Sequence, residues 1–307
     1  MTASKIQWTG RSDWNPIRGC TRVSPGCGGP GPHGGCYAEA IAARFSDPGQ
    51  AFHSFAERGK SGPHWTGHVE LIEDRVTLPL HWRKPAMIFP SSMSDIFHEK
   101  LPDSAIDRLF AVMVLTPWHT YQPLTKRTDR MREYFAADPR ARIYDAAEKI
   151  SEAHSGHRST GTGEWPLRNV WLGFSAENQE YLAERWLFAG DLAEQGWLVW
   201  CSAEPLLGPL DLMCVETVPD RPQRKLSWLV VGGESGPRSR PFNADWAAAI
   251  IEQCGAAGVP CFVKQLGANP WFGARHYGPA SEKYIHDKKG GDWSEWPASL
   301  RVREMPA

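Results

Sequence analysis

Long apolar runs are missing from this sequence. The longest, such as Trp228 to Val231, is far shorter than the roughly 20 apolar residues that a membrane-spanning helix needs, so we expect no membrane association. The first residues, Met1-Thr-Ala-Ser-Lys5, lack the basic and apolar regions of a signal peptide. Together these two absences predict a cytoplasmic protein.

An excess of one charge sign is also absent. The chain has 34 Lys and Arg against 35 Asp and Glu, which excludes the overall basic character of a dedicated nucleic-acid-binding protein. A local basic channel is still compatible with this balance. Hydrophobic residues make up 41% of the 307 residues, so a disordered chain is excluded and a single large domain is expected.

Several catalytic motifs are absent as well. We find no G-x-S-x-G, no H-E-x-x-H and no P-loop, so a hydrolase has little support. Seven cysteines are present, but their number is odd and no export signal precedes them. A disulfide framework is therefore a poor explanation for the cysteines.

What the sequence does contain is an alternation of short apolar runs with helical patterns. Runs begin 28 to 50 residues apart, the length of a strand-plus-helix unit. Segments 102–113, 178–189 and 243–255 have the spacing of amphipathic helices, whereas 149–166 has the composition of an exposed loop. The pattern predicts a parallel α/β sheet or barrel. The runs start near Ala86, His119, Asn169, Trp197, Ser227 and Pro260.

Polar side chains follow these runs, at the predicted carboxyl ends of the strands. In parallel barrels the reactive groups lie at those ends, so we take these side chains as candidates for a site. Glu204 is the most informative of them, because a Glu between an apolar strand and Pro205 has little structural reason to be there. The candidates are Ser92, Ser94, Asp95, Lys126, Arg127, Glu177, Asn178, Glu204, Glu234, Ser235, Lys264 and Gln265.

Three of the cysteines, Cys20, Cys27 and Cys36, lie in one Gly- and Pro-rich segment. Six residues separate the first pair and eight the second, and a helix is predicted directly after Cys36. Soft sulfur ligands select zinc, copper(I) or iron–sulfur clusters. Three interpretations stay open: a four-iron cluster, a zinc site completed by His33, or thiols without metal. The other four cysteines, Cys201, Cys214, Cys254 and Cys261, are expected to pack in the interior.

Several blocks of this sequence resemble a phage-associated family of uncharacterised three-cysteine proteins. The resemblance extends over nearly the whole chain, to Pro297. The blocks that carry it are Trp14-Asn-Pro, Gly19-Cys20, Ser24-Pro-Gly-Cys27, Cys36-Tyr-Ala-Glu39, Ser92-Met-Ser-Asp-Ile-Phe-His98, Leu124-Thr-Lys-Arg127, Asn169-Val-Trp-Leu-Gly173, Glu204-Pro-Leu-Leu-Gly208, Val231-Gly-Gly-Glu-Ser-Gly236 and Val263-Lys-Gln265.

That family in turn looks like a divergent branch of the radical S-adenosylmethionine (SAM) enzymes. The resemblance implies a partial parallel (β/α)6 barrel in one domain, residues 1–307. Within it we expect a cysteine loop at 14–40, barrel units at about 84–269 and an irregular C-terminal cover at 270–307. It also implies a [4Fe–4S] cluster on Cys20, Cys27 and Cys36, and SAM as cofactor.

The resemblance further implies an electron donor such as flavodoxin or ferredoxin, and formation of a 5′-deoxyadenosyl radical. Ser94, Asp95, Glu204 and Glu234 would contact the cofactor. Lys126, Arg127, Lys264 and Gln265 would hold an anionic substrate, such as a nucleotide or nucleic acid.

One feature departs from the resemblance. Radical SAM enzymes separate their cysteines by three and then two residues, and the three-cysteine family by six and then two, whereas this chain has six and then eight. The insertion Gly28–Gly35 places His33 among the candidate ligands. The alternative function is therefore a zinc-binding, non-catalytic module that binds a partner protein from a barrel scaffold.

Overall fold

The structure is a computed structural model, and it describes residue 4 and residues 6–28, 35–60, 62–154, 164–215, 224–236, 238–273 and 285–306. The candidate ligand His33 lies outside the described residues. Most of the Gly28–Gly35 insertion lies outside them as well.

Seven α-helices form within the described residues. They are α1 (Tyr37–Arg44), α2 (Glu73–Val76), α3 (Asp103–Leu115), α4 (Thr128–Ala136), α5 (Arg140–Ala153), α6 (Gln179–Glu194) and α7 (Ala244–Ala257).

Thirteen short strands accompany these helices in the described part of the chain. They are β1 (Ile17–Arg18), β2 (Ala56–Gly59), β3 (Gly62–Trp65), β4 (Glu70–Leu71), β5 (Met87–Ile88), β6 (Thr120–Tyr121), β7 (Leu124–Thr125), β8 (Trp171–Ser175), β9 (Leu198–Ala203), β10 (Trp228–Gly232), β11 (Phe242–Asn243), β12 (Cys261–Gln265) and β13 (Pro270–Trp271).

The predicted alternation of strands and helices is confirmed. Each of the six apolar runs contains a strand, namely β5, β6, β8, β9, β10 and β12, and three predicted helices correspond to α3, α6 and α7. The helix expected after Cys36 is α1. Segment 149–166 was predicted wrongly in part, because α5 continues to Ala153 with Ile150 buried against its neighbours.

A five-stranded parallel sheet has the order β7-β8-β9-β10-β12, which is the order of these strands along the chain. β10 pairs with β9 through Leu229 and Cys201, and with β12 through Leu229 and Cys261. The interior of this sheet is almost entirely apolar, as expected for parallel strands that are covered on both faces.

A second set of parallel segments, apart from the five-stranded sheet, consists of β5, β6 and the extended segment 11–14. β5 and β6 are parallel, with Ile88 opposite Tyr121. Segment 11–14 pairs in parallel with β5: the amide of Arg11 donates to Met87 O (2.9 Å) and that of Phe89 to Arg11 O (2.8 Å). This parallel segment was missed because it contains no apolar run.

Contacts divide the chain into two compact units. Unit 1 comprises residues 1–22, 37–173 and 195–198, and unit 2 comprises residues 23–36, 174–194 and 199–307. The expectation of one domain stays a prediction. In unit 1 aromatic rings of α3, of α4 and of the segment before α3 pack together. The rings of Phe97, Phe110, Tyr134 and Phe135 all lie within 6.3 Å of one another by ring centroid.

Unit 2 has its own aromatic core. Trp200 and Trp228 pack at 5.2 Å on neighbouring strands, and the indole of Trp228 donates to Glu304 O (2.9 Å). The amide of Val263 donates to Val302 O (2.8 Å), so the end of the chain runs beside β12. The C-terminal cover is therefore partly an extended segment, since its backbone satisfies groups at the edge of the sheet.

Local sequence explains where α7 begins and ends. The side chain of Asn243 accepts from the amide of Asp245 (2.9 Å), as expected for an N-cap. The helix continues beyond Gly255, and Gly258, with φ +65°, is the residue that ends it. No helix of the described residues combines the length and apolarity required to cross a bilayer.

Replacing Asn243 tests whether its side chain stabilises the N-terminus of α7. We expect Asn243→Ala to lower the free energy of unfolding by about 1 kcal/mol, because an amide at the helix start loses its acceptor. Urea unfolding measures the change. Asn243→Asp, which keeps an acceptor, should differ from the wild type by less than half of that, and an equal loss in both variants would contradict the assignment.

Candidate functional site

The carboxyl ends of the strands in unit 2 carry charged side chains. Glu204 follows β9 and pairs with Lys264 of β12. The backbone of Gly232, at the end of β10, lies so close that a Cβ there would be 3.1 Å from the Glu204 carboxyl carbon. Since these strands are parallel, their ends lie along one edge of the sheet, where ligands of α/β proteins bind.

Glu177 follows β8 and is completely buried. One carboxylate oxygen accepts from the guanidinium of Arg185 in α6 (2.8 Å), and the other accepts from the amide of Gly26 (3.0 Å). Arg185 also donates to Ser175 O (2.7 Å). A buried carboxylate needs such partners, because its transfer from water is otherwise prohibitively unfavourable.

The turn that contains Cys27 is held by these strand ends. Pro25–Cys27 forms a 3-10 turn, and a Cβ on Gly26 would approach the Glu177 carboxyl carbon to 2.9 Å, so glycine is required there. The guanidinium of Arg240 donates to Pro25 O (2.8 Å) and also pairs with Glu234 after β10. Two strand-end carboxylates therefore position the turn, one directly and one through Arg240.

Cys20 belongs to unit 1, where its neighbour Thr21 is held in a similar way. The guanidinium of Arg127 donates to the hydroxyl of Thr21 (2.7 Å) and to its carbonyl (3.2 Å). The same guanidinium forms a buried ion pair with Asp95 (2.9 Å), which follows β5. It also pairs with Glu99 (2.7 Å), whose side chain is exposed. Arg127 itself follows β7, so the residue after Cys20 is tied to strand ends.

The charge of Arg127 is stabilised by the groups around it. Burial opposes the charge on Arg127, but Asp95, Cys20 and Glu99 together raise the pKa of Arg127 above its ordinary value. Two of these groups are carboxylates, so the charge of the guanidinium is balanced by its ion pairs with Asp95 and Glu99.

His98 completes this network in unit 1. Its Nδ1 accepts from the amide of Lys100 (3.2 Å), which leaves Nε2 as the donor to the Thr21 hydroxyl (3.0 Å). Burial, with a contribution from the positive charge of Arg127, lowers the pKa of His98 below its ordinary value. The neutral ring therefore helps to orient Thr21 at physiological pH.

Most of the predicted site residues lie in these networks. Asp95 accepts from the hydroxyl of Thr125 (2.7 Å) and from the amide of Lys126 (3.3 Å). Gln265 donates to Gly233 O (2.9 Å). The hydroxyl of Ser94 is buried and has no hydrogen-bond partner among the described residues. The proposed roles of all these residues in cofactor and substrate binding stay predictions.

Four important residues were missed by sequence reasoning. Arg185 and Arg240 lie within a helix pattern and an irregular segment, where a charge is unremarkable. Thr21 and Gly26 adjoin cysteines, and that adjacency was the available signal.

The cysteines differ in burial. Cys20, Cys27 and Cys36 are half-buried, as expected for ligands of a soft metal rather than for core residues. Cys201, Cys254 and Cys261 are buried as predicted; the prediction was wrong for Cys214, which is exposed. Nowhere in the described ranges do three or more His, Cys, Asp or Glu side chains form a group that could hold a metal ion.

The fold is that of a mixed α/β protein with a five-strand parallel sheet. The chain matches the family described as "Protein of unknown function (DUF5131)" over residues 3–297, and it belongs to that family. No curated protein and no solved structure matches the chain.

Removing the charge of Glu177 tests its central role in unit 2. We expect Glu177→Gln to lower the free energy of unfolding by about 3 kcal/mol, because the Arg185 guanidinium stays buried without a counter-charge. Urea unfolding measures the loss. Glu180→Gln, an exposed change in the first turn of α6, is the matched control and should change stability by less than about 0.5 kcal/mol. Similar values for both variants would contradict this role.

The low pKa of His98 predicts a pH dependence of stability. In the unfolded chain a histidine titrates near about 6.5, whereas the folded protein resists protonation there. Stability should therefore fall as the pH drops below about 6.5, since only the unfolded state gains the proton. Urea unfolding at pH 7.5 and 5.5 should show a smaller loss for His98→Gln than for the wild type. Equal losses would show that His98 does not contribute.

Proposed function

We propose that this chain is an iron–sulfur enzyme of the radical SAM type, with Cys20, Cys27 and Cys36 as ligands of a [4Fe–4S] cluster. The observation that carries the proposal is the anchoring of the Cys27 turn. Glu177 and Arg240, both at or linked to the carboxyl ends of parallel strands, bond directly to that turn. Carboxyl ends of parallel strands are where enzymes of this architecture place their reactive groups.

The strand order supports the finer proposal of a partial (β/α)6 barrel. Along the sheet the strands keep their chain order, whereas a doubly wound sheet reverses its order at a switch point. In unit 1 the order of parallel segments is 11–14, β5 and β6, again as along the chain. Segment 11–14 ends six residues before Cys20, so the cysteine segment begins at the carboxyl end of a parallel segment.

Thiol ligands suit such a cluster by their chemistry, but in the described residues Cys20, Cys27 and Cys36 do not come together as a ligand group. When bound, the cluster supplies an electron for reductive cleavage of the SAM sulfonium, which the protein cannot supply itself. Glu177 orients the turn that contains Cys27. Glu204 and Glu234, which are paired with Lys264 and Arg240, offer carboxylate oxygens that could accept from the ammonium group or ribose hydroxyls of SAM.

The proposals for the substrate and for the electron donor rest mainly on the sequence resemblance. An anionic substrate, such as a nucleotide or nucleic acid, rests on the resemblance to phage-associated proteins. Arg127 is already engaged by Asp95 and Glu99, so its contribution to an anion site would be indirect. A flavodoxin or ferredoxin as electron donor rests on the resemblance alone.

Metal content tests the proposal most directly. Protein purified without oxygen should contain about four irons with matching sulfide, absorb visible light, and release 5′-deoxyadenosine from SAM when reduced with dithionite. Stoichiometric zinc without iron would overturn the proposal and favour the zinc-binding module instead. A metal-free protein would overturn both functions.

Single cysteine replacements test the ligand set. Cys20→Ala, Cys27→Ala and Cys36→Ala should each reduce bound iron by more than half, because a four-iron cluster on three thiolates tolerates no missing ligand. Cys214→Ala removes an exposed thiol from unit 2 and should leave the iron content unchanged. Iron that survives any of the first three changes would remove that residue from the ligand set.

A further inference from the structure

Trp118 is an exposed aromatic side chain whose position is fixed by a hydrogen bond. It lies between α3 and β6, and 39% of its surface is accessible. Its indole Nε1 donates to Trp82 O (3.0 Å), and Nε2 of the buried His119 donates to the same carbonyl (3.0 Å). The rings of Trp118 and His119 lie 5.6 Å apart by centroid. The indole is therefore held in place on the surface, and its one donor is already used.

Trp82 joins the segments that precede two neighbouring strands. The guanidinium of Arg11 lies 3.5 Å from the centre of the Trp82 ring, and Arg11 also pairs with Asp13 (2.6 Å). The backbones of the two segments meet as well, since the amide of Thr120 donates to Ala86 O (3.0 Å). These contacts bring the residues before β5 and the residues before β6 together on one surface.

Two cations follow Trp82 directly. Arg83 and Lys84 are both exposed, and neither forms an ion pair with a carboxylate within the described residues. The sequence has no Asp or Glu in residues 75–94 or in residues 108–128. The positive charge beside Trp82 is therefore not neutralised by either segment. We refer to Trp118, Arg83 and Lys84 as the tryptophan surface.

The tryptophan surface lies at the amino ends of its strands. β5 and β6 are parallel, and residues 82–86 and 117–119 precede them. Asp95, which belongs to the candidate site, follows β5 at its carboxyl end. The tryptophan surface is therefore separate from the strand-end network in unit 1, and its chemistry does not depend on the proposed cluster.

An exposed indole beside unpaired cations suits one class of ligand. Because the indole N–H is occupied, the ring offers a stacking face, which favours a flat unsaturated ring as its partner. Arg83 and Lys84 favour an anion beside that ring. Single-stranded nucleic acid supplies a base and a phosphate at every nucleotide. An acidic peptide supplies the charge without the rings, and in a duplex the bases are already stacked on each other.

We propose that the tryptophan surface binds single-stranded nucleic acid, with a base stacked on Trp118 and phosphates paired with Arg83 and Lys84. Stacking of this kind tolerates every base, so we expect little sequence preference. Since the chain carries an overall charge of −1, affinity should be moderate, with a dissociation constant of about 1–100 µM near physiological salt. The inference does not rest on the proposed function, because neither iron nor SAM takes part.

Fluorescence anisotropy with a labelled oligothymidylate and a labelled oligouridylate, each of about 20 nucleotides, tests binding. Wild-type protein should bind at least one of them, and raising the salt from about 50 to 200 mM should weaken binding. A duplex of the same length should bind more weakly than the single strand. Failure to bind either single strand, or equal or tighter binding of the duplex, would overturn the proposal.

Replacing the indole tests the stacking contact. Trp118→Ala should weaken binding by about 5- to 150-fold, the effect of one lost base stack. Trp118→Phe keeps an aromatic ring and should bind more tightly than Trp118→Ala. Trp271→Ala is the matched control, because that indole is exposed as well but lies in unit 2, and it should leave the affinity unchanged. Equal losses in Trp118→Ala and Trp271→Ala would contradict the stacking contact and overturn the proposal.

The exposed cations give a second test that does not require a change in the packed aromatic rings. The double variant Arg83→Ala, Lys84→Ala should reduce the slope of log affinity against log salt by about 1.4, since each phosphate contact of a single strand contributes about 0.7. Lys288→Ala with Lys289→Ala is the control, because these lysines are adjacent and exposed in unit 2. An unchanged slope in the first variant, or the same reduction in the control, would overturn the proposal.

Discussion

Glu177 is a carboxylate with no exposed surface, and an ion in that position is tolerated only when its charge and its lone pairs are matched. Arg185 of α6 supplies the counter-charge, and the amide of Gly26 supplies the remaining donor. Because both partners must approach one carboxylate, a helix and the Cys27 turn are both fixed to the end of β8. Glycine at position 26 follows from the same contact, since a Cβ there would overlap the carboxylate.

In unit 1 a buried carboxylate is likewise paired with a guanidinium that bonds to a residue beside a cysteine. Asp95 and Arg127 form a buried ion pair beyond the ends of β5 and β7, and the guanidinium reaches on to Thr21 beside Cys20. His98 stays neutral and donates to the same hydroxyl. In each unit a residue next to a cysteine is thus held by charged groups at strand ends. That recurrence, together with the half-buried thiols, is why a metal on these cysteines is the function we favour.

The sequence pattern predicted most of the parallel strands and several helices, but only part of the charged network at the strand ends. Apolar runs followed by helical spacing located six of the thirteen strands of the described residues, because burial of parallel strands imposes a local signal. Segment 11–14 carried no such signal, since Arg11 and Asp13 interrupt it and its hydrogen bonds to β5 alone make it extended. Asp95, Glu204 and Glu234 were found by their position after strands. Two of their cationic partners, Arg127 and Lys264, were found in the same way, whereas Arg240 was missed because it lies in an irregular segment.

What the sequence by itself determined is the alternation of strands and helices, the spacing of the three cysteines and the polar character of the strand ends. All three depend on residues close together along the chain. Only the tertiary structure decided which carboxylate meets which donor: Gly26 and Glu177 are 151 residues apart.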